Sequence, residues 1–518
     1  MKIDFSKETL LIVLSISLLP LFFYLSINTL SYIYDGGHHG SILLNGLDII
    51  NDKIPYKEVF LQYGYLNALI NSFFLTIFNH NILAIYFTTS LFYFSSILLI
   101  AILSKKFSNS YGLIFSIIIC VFNHPIPEYP WPNYSAFFFL VTSVYFFDII
   151  NNKKLFLSGF FIALACLTRE NFYYFIIPSF LAINVLIYFY SKDKFKNYYL
   201  VSGFTLPIII FIIYLIINNI FLNWVEFQTL PFVYLQSYEV TFFQLLEKFI
   251  LFFITEVPFK LAISPQYFPI LIILIFNTYV LFEELFLKKD KNIKIIFITL
   301  LCLSSIIVSI NLELFRLYTS ILIGLPVVFY KLKSFVIEDI RFFILFILLF
   351  ISCFSIYYYP KGNVKFFKNI NYDKSTSYNG IKYFKNQKWE SDKWNFVKTI
   401  KLIDDEIAEK CRINYVLNLT PNGFILALSS LERIQMAAVF NEHLGKDFHL
   451  IFQKNFKSVA HDKIINEDIY IYSMENLIDV LDNKLDNYKI SHRIKVNGHK
   501  GSEIRVFVPN NCYNKLNL

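Results

Sequence analysis

The 518-residue sequence has six cysteines but no Cys-x-x-Cys pair and no Cys/His spacing suited to zinc. Cys120, Cys166, Cys302 and Cys353 lie inside apolar runs, where a thiol is a small packing group. Cys411 and Cys512 bracket most of a hydrophilic tail, where a disulfide or two free thiols are both open, the disulfide requiring a tail outside the cytoplasm. No small-residue cleavage site follows the first apolar run, 10–27, so that run is expected to stay as a signal anchor with its N-terminus inside. Internal repeats are absent and charges in mid-span are few, which weighs against a transporter. The tail, in turn, has no phosphate loop, no nucleophile motif and no cluster of metal ligands.

What is there is mostly apolar. Hydrophobic residues make up 56% of the chain and mean hydropathy is +0.52, well above the apolar share of about 45 to 50% in soluble proteins. The formal charge of +8 would suit nucleic acid, but the lysines fall in short loops between apolar runs, where membrane topology accounts for them, and nucleic acid is excluded as a partner. Further spans are predicted over 81–103, 111–122, 134–150, 155–168, 172–190, 198–221, 268–287, 295–310, 317–330 and 342–359, about eleven helices with the first.

Alternate loops are basic. Lys105 and Lys106, Lys153 and Lys154, Lys192 to Lys196, Lys288 to Lys294, and Lys331 to Arg341 fall on one predicted side, whereas the loop 123–133 has no basic residue. An odd number of spans then places the tail beyond residue 360 on the side of the first loop. This predicts a multi-pass transmembrane domain over 1–359 and a soluble extracytoplasmic α/β domain over 360–518, with strand-like stretches at 414–419, 468–472, 488–496 and 503–508 and helical ones at 399–410 and 474–485.

Chemistry is expected in the loops of the opposite side, which are sparse in basic residues. The first, 31–67, carries Asp35 followed by two glycines, then His38 and His39, and a helical apolar pattern over 40–51 expected to lie in the membrane interface. Asp35 is the candidate catalytic acid. Adjacent histidines point in different directions, so His38 and His39 make a poor metal site, but one of them can bond Asp35 or touch substrate. The second loop, HPIPEYPWPNY, is rigid and extended and reads either as a groove wall or as an aromatic belt, and its Glu128 is the second candidate acid. Arg169 and Glu170 form a charged turn at a helix end, equally open as a structural pair or a substrate contact. The long loop 223–267 reads as a lid. Arg316 opens a helix on the sparsely basic side, where a planar guanidinium suits a phosphate.

At these residues the sequence resembles the GT-C glycosyltransferases, especially the ArnT/protein-mannosyltransferase-like branch. Asp35 holds the place of the acid that follows the first transmembrane helix in that family. The run Pro55, Tyr56, Phe60, Gln62, Tyr63 and Gly64 is similar to the family's loop before its second membrane segment, and Arg316 with Tyr318 to its "Arg-Tyr" helix start. Gly36 stands where the family commonly has a second acid. The resemblance implies a polytopic α-helical membrane enzyme that moves a hexosyl or pentosyl group from a polyprenyl-phosphate donor to a lipid, glycan or protein acceptor, with inversion. It places the enzyme among the lipids of a bacterial inner (cell) membrane with Asp35 as base, His38, His39, Tyr63, Arg169, Glu170, Arg316 and Tyr318 toward substrate, and a divalent metal left open. The competing readings are a transporter or flippase of a lipid-linked glycan and a non-catalytic anchor for the tail.

Overall fold

The computed structural model describes residues 7–228, 267–308, 314–334, 374–434, 461–474, 485–495 and 503–516, leaving out positions 62, 125, 128, 192, 194 and 421 and including Gln244, Glu247 and Leu251. Glu128, the span predicted over 342–359, most of the lid-like loop and most of the helix predicted over 474–485 lie outside the described residues.

In chain order the helices are α1 (Lys7–Leu30), α2 (His38–Ile50), α3 (Tyr65–Ile77), α4 (Leu83–Phe107), α5 (Ser110–Asn123), α6 (Pro132–Phe146), α7 (Asn152–Thr168), α8 (Tyr173–Tyr190), α9 (Lys196–Ile217) and α10 (Phe221–Gln228). There follow α11 (Tyr267–Phe282), α12 (Ile293–Ser304), α13 (Leu314–Ile321), α14 (Leu325–Ser334), α15 (Ser391–Lys410), α16 (Phe424–Leu428) and α17 (Asn510–Lys515). Two compact units result, one from Met1–Leu30, Tyr86–Ile213 and Thr241–Asn369, the other from Ser31–Ile85, Tyr214–Val240 and Ile370–Leu518.

The first unit is helical. Among the described residues five helices, Glu8–Leu30, Leu83–Phe107, Tyr173–Tyr190, Lys196–Ile217 and Tyr267–Leu287, are long and apolar enough to cross a membrane. The expected eleven spans are thus met by five of full length, and the other described ones fall on the shorter helices α5, α6, α7, α12 and the pair α13 and α14. Leu10, Leu11, Leu14, Leu21 and Tyr24 of α1 are exposed, as a lipid-facing helix requires, since an apolar side chain in hydrocarbon loses nothing by being uncovered. By contrast, α12 buries Ile295, Ile296, Phe297, Ile298 and Leu301, which makes it a core helix of this unit.

Two local features shape this unit. Pro132 sits in the first turn of α6, where a missing N–H costs nothing. Further on, α7 and α9 cross with backbone against backbone, because a Cβ on Gly159 would run into the Leu200 carbonyl and one on Gly203 into that of Phe156. That crossing lies in the first half of α7, on the side of its N-terminus, and Arg169 follows the other end.

The second unit combines α2, α3 and α10 with the tail. Its five-stranded sheet has the order β4-β3-β5-β7-β6, from β3 (Tyr415–Leu419), β4 (Glu432–Ile434), β5 (Ile469–Met474), β6 (Tyr488–Lys495) and β7 (Glu503–Pro509). β3 pairs in parallel with β4 and β5, whereas β7 pairs antiparallel with β5 and β6. Ahead of the sheet in the chain, β1 (Ser375–Ser377) and β2 (Lys388–Glu390) pair antiparallel. Cys411, at the end of α15, is disulfide-bonded to Cys512 in α17, with Cα atoms 5.2 Å apart.

The first loop is sewn into this unit by its backbone. The Lys388 amide donates to the Ser31 carbonyl at 2.9 Å and the Gly423 amide to that of Gly36 at 2.7 Å, while the Trp389 indole donates to the Ile33 carbonyl at 3.0 Å. The helix expected to lie in the membrane interface is instead buried along His39 to Asp48. Its Gly40 meets the backbone of Gly423 and Phe424 with no room for a Cβ, and its buried Asp48 is paired with Arg433 at 2.9 Å. A buried carboxylate needs such a partner, and the tail supplies it.

Candidate active site

Asp35 lies just ahead of α2 and is 8% exposed. Oδ1 accepts the His38 amide at 2.9 Å and Oδ2 stands 2.8 Å from His38 Nδ1, so one carboxylate engages both the first N–H of the helix and the ring above it. An anion at a helix N-terminus is favoured by the unpaired amides and the dipole. Burial pushes the Asp35 carboxyl upward, but the His38 charge and hydrogen bonds, aided by His39, outweigh it and hold the group below the usual carboxylate range. The acid therefore stays ionised at neutral pH.

The two histidines differ. The side chain of His38 is 40% exposed while its Nδ1 faces Asp35, so the ring is oriented by the acid and open to what lies outside. His39 is fully buried, and burial pushes it down to about 4 against the pull of Asp35, with the His38 charge adding to the downward push. At neutral pH it is an uncharged wall.

The tail supplies the opposite wall. Asn422 donates from Nδ2 to the Tyr34 hydroxyl at 2.8 Å, and a Cβ on Gly36 would strike the Asn422 side chain. Tyr34 packs edge-on against Trp389 and Phe424. The turn that presents Asn422 is built by Asn418, whose Nδ2 donates to the Asn422 carbonyl at 2.9 Å and whose Oδ1 accepts the Thr420 hydroxyl at 2.8 Å. Buried and occupied in this way, Asn418 is a turn residue. Sequence reasoning passed over Asn422 and Gly423, although an Asn-Gly pair after Pro421 is a turn signal.

Tyr63 stands elsewhere in the same unit, on a cavity of about 10 Å³ that it lines with Asn45, Asn67 and Asn71, space for roughly one water. Seven residues earlier in the chain, Tyr56 is buried with a left-handed φ of 62°, a conformation that costs a bulky residue energy unless packing enforces it. Its ring lies against Phe227 and its carbonyl accepts Asn223 Nδ2 at 3.1 Å.

In the first unit, Arg169 and Arg316 converge on one aromatic ring. The Arg169 guanidinium is 4.9 Å from the centroid of Trp131 and that of Arg316 is 4.8 Å from it. An indole face attracts cations, and a pair of them there makes a seat for an anion. Asn133, two residues along, is 1% exposed, and among the described residues neither amide atom of its side chain has a hydrogen-bond partner. The proline-rich loop thus contributes Trp131 and Asn133, which sequence reasoning did not single out.

Tyr318 is buried and donates to the carbonyls of Ile119 at 3.1 Å and Cys120 at 2.9 Å. Its hydroxyl is therefore committed to the end of α5, where the Tyr93 hydroxyl also donates to the His124 carbonyl at 2.6 Å. Glu170 opens the 3-10 turn Glu170–Phe172, and its side chain lies outside the described part. Among the described residues no group of three or more His, Cys, Asp or Glu gathers as a metal site.

No family model matches the sequence, and no curated protein matches it. Among solved structures, the fold is similar to that of ArnT from Cupriavidus metallidurans in the apo state, with TM-score 0.53, 8% identity and coverage of 97% of this chain and 98% of that one. The same enzyme bound to undecaprenyl phosphate aligns with TM-score 0.48 at 9% identity, over 95% of this chain and 97% of that one. An oligosaccharyltransferase from Archaeoglobus fulgidus in complex with Zn and sulfate aligns with TM-score 0.47 at 12% identity, over 98% of this chain and 76% of that one. At these identities the likeness to ArnT is one of fold: a polytopic helical membrane protein with a C-terminal domain of mixed sheet.

Proposed function

We propose that this protein is a membrane glycosyltransferase that moves a sugar from a polyprenyl-phosphate donor to an acceptor outside the cytoplasm. The observation that carries the reading is the ionised, nearly buried Asp35 carboxylate held at the head of a helix by a half-open histidine, in a chain whose fold is like that of ArnT. The acceptor oxygen attacks the anomeric carbon as its proton passes to the Asp35 and His38 pair, with Asp35 as the base and His38 the ring through which the proton can move. The bond from the anomeric carbon to the phosphate oxygen breaks, and the lipid phosphate leaves with the electron pair. One displacement inverts the anomeric centre.

Arg169 and Arg316 are assigned to the lipid phosphate, whose oxygens a guanidinium binds in bidentate fashion. His39 and Tyr63 are read as lining the acceptor path, Tyr318 as positioning the end of α5, and Glu170 and Glu128 as further acids on the same side. The first 359 residues form the membrane domain, and the tail lies outside the cytoplasm with Asp35. The chain's own side chains carry these steps, and a divalent metal would act in addition to them.

The test is transfer from a labelled polyprenyl-phosphate sugar by purified wild type, Asp35→Asn and His38→Gln, with folding followed by thermal unfolding. General-base loss predicts a fall of about 10²- to 10⁴-fold in Asp35→Asn with donor binding retained, and a smaller fall in His38→Gln. Full activity in a folded Asp35→Asn would move the base to Glu128. Movement of a lipid-linked glycan across vesicles without transfer to any acceptor would establish the flippase instead.

A further inference from the structure

At the end of α7 away from Arg169, the first unit holds a cavity of about 930 Å³ walled by six lysines, Lys106, Lys154, Lys196, Lys288, Lys291 and Lys294. The lysines come from four connections that are distant in sequence, and the seventeen residues of α7 separate the cavity from the Trp131 end by about 25 Å. The cavity is therefore distinct from the candidate active site.

Four acids, Asp148, Asp193, Glu284 and Asp290, share the wall, and two of them are taken. Lys154 pairs with Asp148 at 3.4 Å and Lys288 with Glu284 at 2.5 Å. Three other lysines are held by carbonyls: Lys196 donates to Ile150 at 3.2 Å, Lys291 to Leu285 at 2.6 Å and Lys294 to Phe147 at 2.8 Å. A carbonyl fixes an ammonium without cancelling its charge. The wall keeps an excess of positive charge on groups already oriented, and its size falls in the range of small-molecule sites.

A second observation selects the ligand. Around this end the surface is apolar and exposed at Ile150, Phe189, Phe195, Tyr198, Phe286 and Leu287, the marks of contact with the acyl and headgroup boundary of a bilayer. A basic cavity bordered by such a surface fits a molecule with a phosphate at one end and hydrocarbon at the other. We propose that the cavity binds the phosphate headgroup of an anionic phospholipid from the leaflet at this end, its acyl chains lying along the exposed apolar surface. The positive-inside bias alone would leave these lysines on loop surfaces, whereas here they are drawn into one concave wall.

Full-length protein would be placed in nanodiscs of equal parts phosphatidylglycerol and phosphatidylcholine and the co-purifying lipid measured by native mass spectrometry. Selective retention of phosphatidylglycerol is expected, weakened about fivefold for each lysine removed near the surface in Lys106→Gln and Lys154→Gln and strengthened in Asp193→Asn, which guards against a mere folding defect. Equal retention of both lipids, or indifference to these three changes, would overturn the proposal. Glycerol 1-phosphate separates the sources: if it displaces the lipid and binds as tightly without it, the cavity is a soluble-phosphate site and the lipid assignment fails.

Discussion

The His39 side chain sits in a wall where it cannot be charged without cost, and this sets a pH dependence. With its pKa at about 4 when folded against about 6.5 when unfolded, the unfolded chain binds the extra proton first. Stability of the second unit is then fully present above about pH 6.5 and is lost as pH falls towards 4, by roughly 3 kcal/mol. Asp35 has the opposite character: held low, it contributes stability above the unfolded value of about 3.9 and loses it only at more acid pH. Urea unfolding of wild type and His39→Gln from pH 7 to 2 checks the first effect. The variant should lose the slope between pH 6.5 and 4 and keep the one below. Nothing in the neighbouring letters of the sequence distinguished His38 from His39. The difference is burial, and burial comes from what the tail and α3 lay over α2.

At the scale of elements, the approach of α2 to α16 is a contact of backbones through Gly40 and Gly423. Gly423 has an ordinary helical φ of −65°, so Gly423→Ala adds only a methyl, and the methyl meets Gly40 and Ser41. Overpacking of this kind costs about 1 to 3 kcal/mol. The expected outcome is faster proteolysis of the first loop and the tail, together with reduced transfer, while the helices of the first unit keep their far-ultraviolet signal. The 3.6-residue pattern made α2 visible in the sequence as a helix with an apolar face. It could not tell a face turned to lipid from one turned to protein, because both reward the same residues. The crossing of α7 and α9 was hidden for a related reason: Gly159 and its partner Gly203 lie in two separate apolar runs, and neither run marks the other.

For the whole molecule, the tail's stability rests on the sheet and on one covalent link that closes a separation of 101 residues. Cross-linking so long a loop restricts the unfolded chain, and its removal typically costs about 2 to 4 kcal/mol. Cys411→Ser should therefore lower the midpoint of the tail's unfolding transition, and a reducing agent should do the same to wild type but add nothing to the variant. Differential scanning calorimetry with and without reductant reads both. Such a bond also fits a tail placed in an oxidising compartment, as the proposed topology requires.

The solvent of this protein and most of its helices are legible in the order of its residues. Long apolar runs and basic loops follow from transfer free energy, which depends on composition over a window of about 20 residues and needs no knowledge of neighbours. Asp35 and the arginines were legible for the same reason, as polar groups at the ends of apolar runs. Tertiary structure alone decided that the first loop belongs with the tail through Gly36 and Gly423, that Asn422 closes over Tyr34, and that Trp131 seats both arginines. These depend on contacts between residues tens to hundreds of positions apart, made through backbone amides and ring faces that nearly every sequence possesses. Their selection lies in geometry, and geometry exists only once the chain has folded.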